Sequence, residues 1–331
     1  MSMAPFAPEL FDAPILNPAV GGFGKPFPYI SPSTYKFAPT AMDLGNLVPN
    51  HRGQSQEQAL ASVINRACGR ADRFCFGADP AAKGASLCAT LSVESTTTMV
   101  KSGEIRLVCD YKPIIGLMGL AVGTYPGDLC NVGSAAANFI TFGRKVIYVP
   151  AWVVSPSYPG SPAPFLRLGV GGALYVVWSY INGYPHTYLT EAATAGESTV
   201  TVQASGPNDS VYGVFPGTQL DIVDDTNRET ITVASSYIGG LTLPTTTPLL
   251  YNHSVPDAPD FVSVTAIPAD VEQALIFMTT HLIKSRGDAS MVLDELIEPR
   301  ASREETGASG SDLFDALELL NPFRAMTKIK N

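Results

Sequence analysis

Charge is scarce in this sequence. Lys, Arg, Asp and Glu make up 15% of its 331 residues, whereas 45% are hydrophobic; a typical soluble chain is about a quarter charged. The hydrophobic fraction argues against global disorder, and the length allows two domains. So little surface charge is typical of a protein that covers part of its surface with partners, and also of a β protein rich in Gly and Pro.

Basic residues are the scarcer charged type, 21 against 30 acidic ones, for a formal net charge of −9. Nine acids lie between Asp288 and Glu318, where only two arginines accompany them. The sign reverses after Pro322, where Arg324, Lys328 and Lys330 occur without an acid. A general nucleic-acid binder needs a basic face, and the sequence has none outside this short basic tip.

Cysteine, signal-peptide and membrane features are also lacking. The five cysteines form no CxxC pair and are odd in number, which favours buried thiols in a reducing compartment. No basic region followed by an apolar stretch opens the sequence, so we expect no signal peptide. The longest apolar run, Ile114 to Val122, is too short to span a bilayer, and we expect no membrane contact.

Catalytic motifs are absent as well. The four histidines lie far apart, without metal-ligand spacing, and neither HExxH nor G-x-S-x-G occurs. Asp224 and Asp225 could bind a cation, but Asp224-Asp225-Thr226-Asn227 is more typical of a hairpin turn. The sequence therefore predicts no enzyme, no cofactor and no metal site.

Proline and aromatic residues are concentrated in residues 1–50, which hold nine of the 27 prolines and seven aromatic residues. Such proline density disfavours helices, and a solvated linker would be more polar. We predict an extended arm that docks on its own body or, as the favoured alternative, on a neighbouring copy. Removing residues 1–40 should then weaken assembly without changing the circular dichroism of the monomer. The candidate contacts are Phe6, Phe11, Phe23, Phe27 and Tyr29.

Three helices are predicted. Ser55 and Gln58 form a capping box that opens a helix over 55–76, with Gly77 as its end. Pro268 opens a second helix, which runs to about 286. A short amphipathic helix follows the spacer Ala301 to Gly310, capped by Ser311 or Asp312 and ended by Pro322.

Alternating residues predict strands over 89–95, 104–109, 145–149 and 173–179, with a strand-to-loop corner after Pro113. Shorter strands near 198–202, 218–223, 228–233 and 241–243 predict a separate β-sandwich or small barrel. The fold class is therefore α+β. We divide the chain into the arm (1–50), a core (51–187 and 266–290), an inserted β module (188–265), and an acidic spacer with the last helix and basic tip (291–331).

This order of parts resembles the head-to-tail adaptor (connector, neck) family of tailed bacteriophages. The segments that carry the resemblance are Ala59-Leu60-Ala61-Ser62, Cys68-Gly69-Arg70, Phe74, Tyr111-Lys112-Pro113-Ile114, Pro268-Ala269-Asp270-Val271-Glu272-Gln273-Ala274 and Ile283-Lys284-Ser285-Arg286-Gly287. The β module, with Ala195-Gly196-Glu197-Ser198 leading into a Thr/Val strand, resembles insertions in larger members.

The resemblance implies a structural virion protein of the neck. Its subunits would form a dodecameric ring beneath the portal protein, with a stopper or tail-terminator protein below and double-stranded DNA passing through the lumen. Family members dock a C-terminal segment on the portal. By position, that role would fall to Phe314, Leu317, Leu320, Phe323 and Arg324.

Two other classes remain open. A carbohydrate-binding or adhesive tail component would use exposed aromatic side chains of the β module, and a hydrolase would use scattered residues. The last helix has two alternatives of its own: it packs on its own body, or it reaches a partner across the spacer. On the second, favoured alternative, deleting residues 311–331 leaves a folded protein that no longer joins portal-containing heads.

Overall fold

The computed structural model describes residues 28–41, 44, 55–77, 86–127, 129–132, 139–143, 145–154, 173–206, 209–285 and 308–324. Helices and antiparallel sheets are both present, so the predicted α+β class is confirmed. No helix in these ranges is long and apolar enough to cross a membrane. The helices are α1 (Pro32–Phe37), α2 (Gln56–Phe76), α3 (Ala269–Lys284) and α4 (Ala308–Leu320), with 3-10 turns at Ala151–Val154 and Asn321–Phe323. The strands are β1 (Thr90–Met99), β2 (Glu104–Val108), β3 (Ile114–Gly123), β4 (Cys130–Asn131), β5 (Thr141–Phe142), β6 (Val146–Pro150), β7 (Ala173–Asn182), β8 (His186–Tyr188), β9 (Thr199–Thr201), β10 (Gln219–Val223), β11 (Arg228–Thr232), β12 (Thr242–Pro244) and β13 (Ser263–Thr265).

The capping box of α2 is present as predicted. The Ser55 hydroxyl accepts a hydrogen bond from the Gln58 backbone N–H, and the Gln58 side chain accepts one from the Ser55 N–H. The helix ends at Gly77, whose φ of +98° lies in the left-handed region that favours glycine. Local chemistry alone sets both ends of α2.

The helical body is built from α1 to α4. Leu60 and Ile64 of α2 and Leu275 and Met278 of α3 meet in one buried cluster, although α2 and α3 are far apart in sequence. Helix α3 begins after Pro268, as predicted, with Asp270 and Glu272 in its first turn. Helix α4 packs mainly against α3 and also against α2. The helical body therefore closes only when segments from both sides of the β region come together.

Two antiparallel sheets form the sheet body, in the orders β1-β7-β3-β4 and β2-β6-β5. They enclose a second hydrophobic cluster, in which Trp178 and Tyr180 are the largest buried side chains. The predicted corner after Pro113 is wrong, because β3 continues to Gly123. The register on β7 shifts between Ile114 and Gly116 and again between Leu117 and Gly119, so a glycine follows each β-bulge within this strand.

The β module has its own hydrophobic cluster, which runs from Leu189 to Val264 in sequence. One wall is the four-stranded sheet β11-β10-β13-β8, and the other is the ribbon β12-β9. Isolated bridges at Leu189–Val202 and Val233–Thr245 join the two walls. The predicted strands of this region are all present, although several are shorter than the alternating pattern suggested.

Backbone contacts between separate segments join the three parts of the chain. Tyr184 donates its N–H to the Leu87 carbonyl at 2.8 Å, and Ala89 donates to the Tyr184 carbonyl at 2.7 Å. Gly183, with a φ of +99°, donates to the Pro113 carbonyl at 3.0 Å. This junction carries the chain from β7 into the β module.

Two helix predictions were wrong. The arm contains α1, because Ser31 caps the Thr34 N–H and Pro32 occupies the first turn, where its missing N–H costs nothing. Helix α4 begins at Ala308, so Ser311 and Asp312 lie within the helix and not at its start. The Asp312 carboxylate instead accepts a hydrogen bond from Lys284 of α3 at 2.5 Å.

Candidate interaction surface

The described part of the arm lies in the helical body. Tyr29 is buried, and its hydroxyl lies 2.6 Å from both carboxylate oxygens of Asp72 and from the Ser86 hydroxyl. Ile30 and Tyr35 are buried in the same cluster. Tyr29 therefore has no free surface for a neighbouring copy. The other four candidate arm contacts, Phe6, Phe11, Phe23 and Phe27, lie outside the described residues.

The Asp72 carboxylate is buried in a largely apolar cluster. Burial raises its pKa to about 6, although hydrogen bonds from the Tyr29 hydroxyl and the Leu87 N–H oppose the rise. The folded chain thus binds this proton more tightly than the unfolded chain. The resulting stabilisation is complete below about pH 4 and is lost as the pH rises through about 6.

We expect Asp72→Asn to remove this pH dependence. Each pH unit between the two pKa values corresponds to about 1.4 kcal/mol, so ionising Asp72 in the folded chain costs roughly 3 kcal/mol. The measurement is urea unfolding of both proteins between pH 4.5 and 7.5. The difference in free energy of unfolding between wild type and variant should change across that range. A constant difference for Asp72→Asn would contradict the assignment.

Helix α4 presents three faces, which follow from its period of 3.6 residues. Its inner face consists of Leu313, Ala316 and Leu320, all buried in the helical body. A second face, with Asp315, Leu319 and Pro322 of the following turn, lines a groove against α3. The outward face carries Phe314 and Asn321, which are exposed, and the exposed Glu318 lies at the edge between this face and the groove. The last helix therefore does pack on its own body, while two of its faces remain accessible.

The five residues predicted to dock on a portal therefore differ in their exposure and in their contacts. Leu320 is 0% exposed, so we leave it out of the candidate surface, and Leu317 is partly buried against the same cluster. Phe314 is 43% exposed and is the largest apolar side chain on the outward face. Phe323 packs edge-on against Tyr184 with ring centres 6.1 Å apart. The Arg324 guanidinium lies 4.8 Å from the centre of the Phe74 ring.

The groove between α3 and α4 was not predicted. Its volume is about 330 Å³, within the size range of ligand-binding clefts. It is lined by Asp270 and Phe277 of α3 and by Asp315, Glu318, Leu319 and Pro322 of the last helix and turn. We call it the acidic groove. Its one sequence signal is the position of Glu318 in the last turn of a helix, where the macrodipole disfavours acids.

The predicted Asp224 turn is confirmed. Asp224 Oδ1 accepts hydrogen bonds from the Thr226 and Asn227 N–H groups. Burial raises the pKa of Asp224, but these bonds and His253 outweigh it and hold the pKa below its usual value. Both oxygens are occupied, and no group of three His, Cys, Asp or Glu in the described part of the chain is placed to hold a metal ion.

His253 was missed by the sequence analysis. It is buried between two carboxylates, with Nδ1 2.6 Å from Asp224 Oδ2 and Nε2 2.7 Å from Glu229 Oε1. Glu229 also accepts the Leu250 N–H at 2.8 Å, so the three side chains join the β10–β11 turn to the segment before β13. Both ring nitrogens are engaged by these carboxylates, so the ring links two segments of the module.

Aromatic side chains on the β module are few. Tyr251, at 44%, is its one strongly exposed aromatic residue within the described ranges. Tyr212 and Tyr237 are buried in the module and its base. The more exposed aromatic pair, Phe139 and Trp152, belongs to the sheet body, with ring centres 4.7 Å apart.

Most of the cysteine thiols are buried. Cys68, Cys75, Cys88 and Cys109 are buried, and Cys130 is partly exposed. Burial raises the pKa of Cys68, Cys75 and Cys109 to about 12, and that of Cys88 also rises well above its usual value. These four thiols are poor nucleophiles at neutral pH.

Comparison with known proteins found no matching family, no similar curated protein and no similar solved structure.

Proposed function

We propose that this chain is a structural subunit of a virus particle, a head-to-tail adaptor that joins the portal of a tailed bacteriophage to the proteins below it. The observation that carries the proposal is the helical body. The two helices whose sequences resemble the adaptor family, α2 and α3, lie on either side of the β region in sequence, yet they pack into one core. This is the arrangement that an adaptor core with an inserted β module requires.

The outward face of α4 supports the portal-docking part of the proposal. Phe314 projects from a helix that is held in place by its own buried face, so a partner meets a preorganised side chain. Exposed aromatic residues of this kind are common anchors in interfaces. The end of the helix is also fixed, because Lys112 donates a hydrogen bond to the Pro322 carbonyl at 3.0 Å.

Ring formation and passage of DNA follow from the same proposal. A ring needs two different surfaces on each subunit that fit each other, since head-to-tail contacts generate closed rotation. The net charge of −9 would let double-stranded DNA slide through the lumen without binding tightly. The stopper or tail-terminator protein would contact the opposite end of the ring.

Mass photometry of the purified chain, alone and mixed with portal rings encoded in the same genome, tests the proposal. We expect the chain to remain small alone and to add many copies of 35.0 kDa to each portal ring, as a dodecamer would. A portal ring whose mass does not change at saturating concentrations of the chain would overturn the function.

Phe314→Glu should separate docking from folding. Because Phe314 is 43% exposed and is not one of the buried core residues, we expect the free energy of unfolding to change by only about 0.5 kcal/mol. Portal binding should weaken by about tenfold or more, because a charge would be buried in an apolar contact. Phe37→Glu, at a phenylalanine that is 66% exposed at the end of α1, is the matched control and should bind as wild type does. Equal binding by the two variants would exclude Phe314 from the docking face.

A further inference from the structure

The acidic groove combines an apolar lining with negatively charged side chains. Phe277, Leu319 and Pro322 provide the apolar surface. Asp270, Asp315 and Glu318 provide three carboxylates, and none of them forms an ion pair with another described residue. No lining residue is basic.

One of these carboxylates is unfavourably placed with respect to the dipole of its own helix. Glu318 lies in the last turn of α4, where the helix dipole favours cations, and that turn contains no basic residue. A cationic partner seated in the groove would relieve this unfavourable arrangement. An apolar lining beneath acidic groups suits a segment that carries both lysines and apolar side chains.

Residues 325–331 of this chain have that composition. Their sequence, Ala-Met-Thr-Lys-Ile-Lys-Asn, alternates Met326 and Ile329 with Lys328 and Lys330 and contains no acid. Arg324 is pinned over Phe74 of α2, and α2 contributes no residue to the acidic groove. The last described residue is thus held against α2, whereas the groove is lined by α3, α4 and the turn after α4.

We infer that the acidic groove of one subunit binds the basic segment 325–331 of a neighbouring copy. The apolar residues Met326 and Ile329 suit the apolar lining of the groove, and the two lysines complement its three carboxylates in charge. This contact is head-to-tail, because groove and segment are different surfaces of the same chain, and it repeats around a ring. The inference rests on the proposed function, to which it adds the surface that joins subunits.

A peptide of residues 324–331, labelled with a fluorophore, tests the contact by fluorescence anisotropy. The titrated protein is the chain with residues 325–331 removed, which keeps Pro322 and the whole of α4. We expect saturable binding that weakens by about tenfold or more between low salt and 0.5 M salt, a concentration at which exposed charges are strongly screened. Asp315→Lys with Glu318→Lys should weaken binding of this peptide by about tenfold or more. A peptide with Lys328→Glu and Lys330→Glu should regain affinity for the reversed groove.

The control reverses two exposed acids outside the groove, Glu191→Lys with Asp225→Lys, which matches the change in net charge. Equal weakening by the control and the groove variant would overturn the inference, because the effect would then come from net charge alone. The full-length monomer should bind the peptide as tightly as the truncated chain does. If it does not bind, the groove is occupied by the chain's own segment, and the contact between neighbours is excluded.

Portal assembly separates the inference from the function on which it rests. If the groove-reversed chain adds to portal rings as wild type does, the adaptor function stands and the proposed contact fails. If the peptide binds with the expected charge dependence but portal rings gain no mass, the contact stands and the adaptor function fails.

Discussion

Leu320→Ala should lower the free energy of unfolding by about 2 to 5 kcal/mol, the usual cost of removing a fully buried leucine. The side chain is 0% exposed at the end of α4 and packs in the helical body with α2 and α3. Neighbouring residues cannot easily move to fill the cavity that the substitution leaves, because the turn that follows is held by Lys112, Tyr184 and Phe74. Urea unfolding at constant pH measures the change.

Phe314→Ala is the matched control on the same helix. Its ring is 43% exposed, so its removal should cost less than about 1 kcal/mol. Hydrogen exchange should also show where the loss occurs: Leu320→Ala accelerates exchange in α2 and α3, while β10 and β11, which lie in a separate core, keep their protection. Two variants of equal stability would mean that α4 contributes no core to the helical body.

The same packing changes what deletions can test. Removing residues 311–331 would take Leu313, Ala316 and Leu320 out of the core, so the expectation of a folded product no longer holds. Removing residues 1–40 would likewise take away Tyr29, Ile30 and Tyr35. Deletions that stop at residue 27, or that begin at residue 325, leave every described contact in place.

Gly183→Ala should be more damaging still, at about 4 kcal/mol or more. A Cβ at this position would lie 2.4 Å from the Cys88 carbonyl oxygen and 2.9 Å from that of Leu87. Both atoms are backbone, so relief requires that the junction between β7, β8 and the segment before β1 open. The φ of +99° adds strain for any residue with a side chain. We expect little folded protein at 37 °C, measured by circular dichroism and by yield of the monomer.

Gly77→Ala separates the cost of the backbone conformation from the cost of the steric clash. Its φ of +98° is nearly identical, but an added Cβ meets no atom within 4 Å. The cost should therefore be that of the backbone conformation alone, about 1 to 2 kcal/mol. If Gly183→Ala costs no more than Gly77→Ala, the close approach at Cys88 does not exist in solution.

Local signals in the sequence predicted the elements well. The capping box at Ser55, the proline at 268 and the alternating strands of the β module depend on neighbouring residues, and these predictions were confirmed. The errors arose where a residue distant in sequence determines the local structure. Asp312 has the chemistry of a helix cap, but Lys284 of α3 takes its carboxylate. Gly116 and Gly119 look like strand breakers, but pairing with β7 accommodates them beside bulges.

The candidate surface was only partly predictable for the same reason. The amphipathic pattern of α4 predicts that Leu313 and Leu317 lie on one side of the helix. It does not predict whether that side packs on the same subunit or binds a partner. The acidic groove brings Asp270 together with residues near 318, and no pattern of neighbouring residues in the sequence predicts that proximity. One local signal in the arm was available and missed: Ser31 followed by Pro32 is a helix start.

The division of the helical body between distant segments has a consequence for biosynthesis. At about 5 to 20 residues per second, a ribosome completes α2 some tens of seconds before α3 emerges. The β module, made of contiguous strands with their own core, can reach its native form on the nascent chain in that interval. Helix α2 cannot bury its apolar face until α3 has been synthesised. Chaperone occupancy during translation should therefore be greatest between the emergence of Gln56–Phe76 and that of Ala269–Lys284.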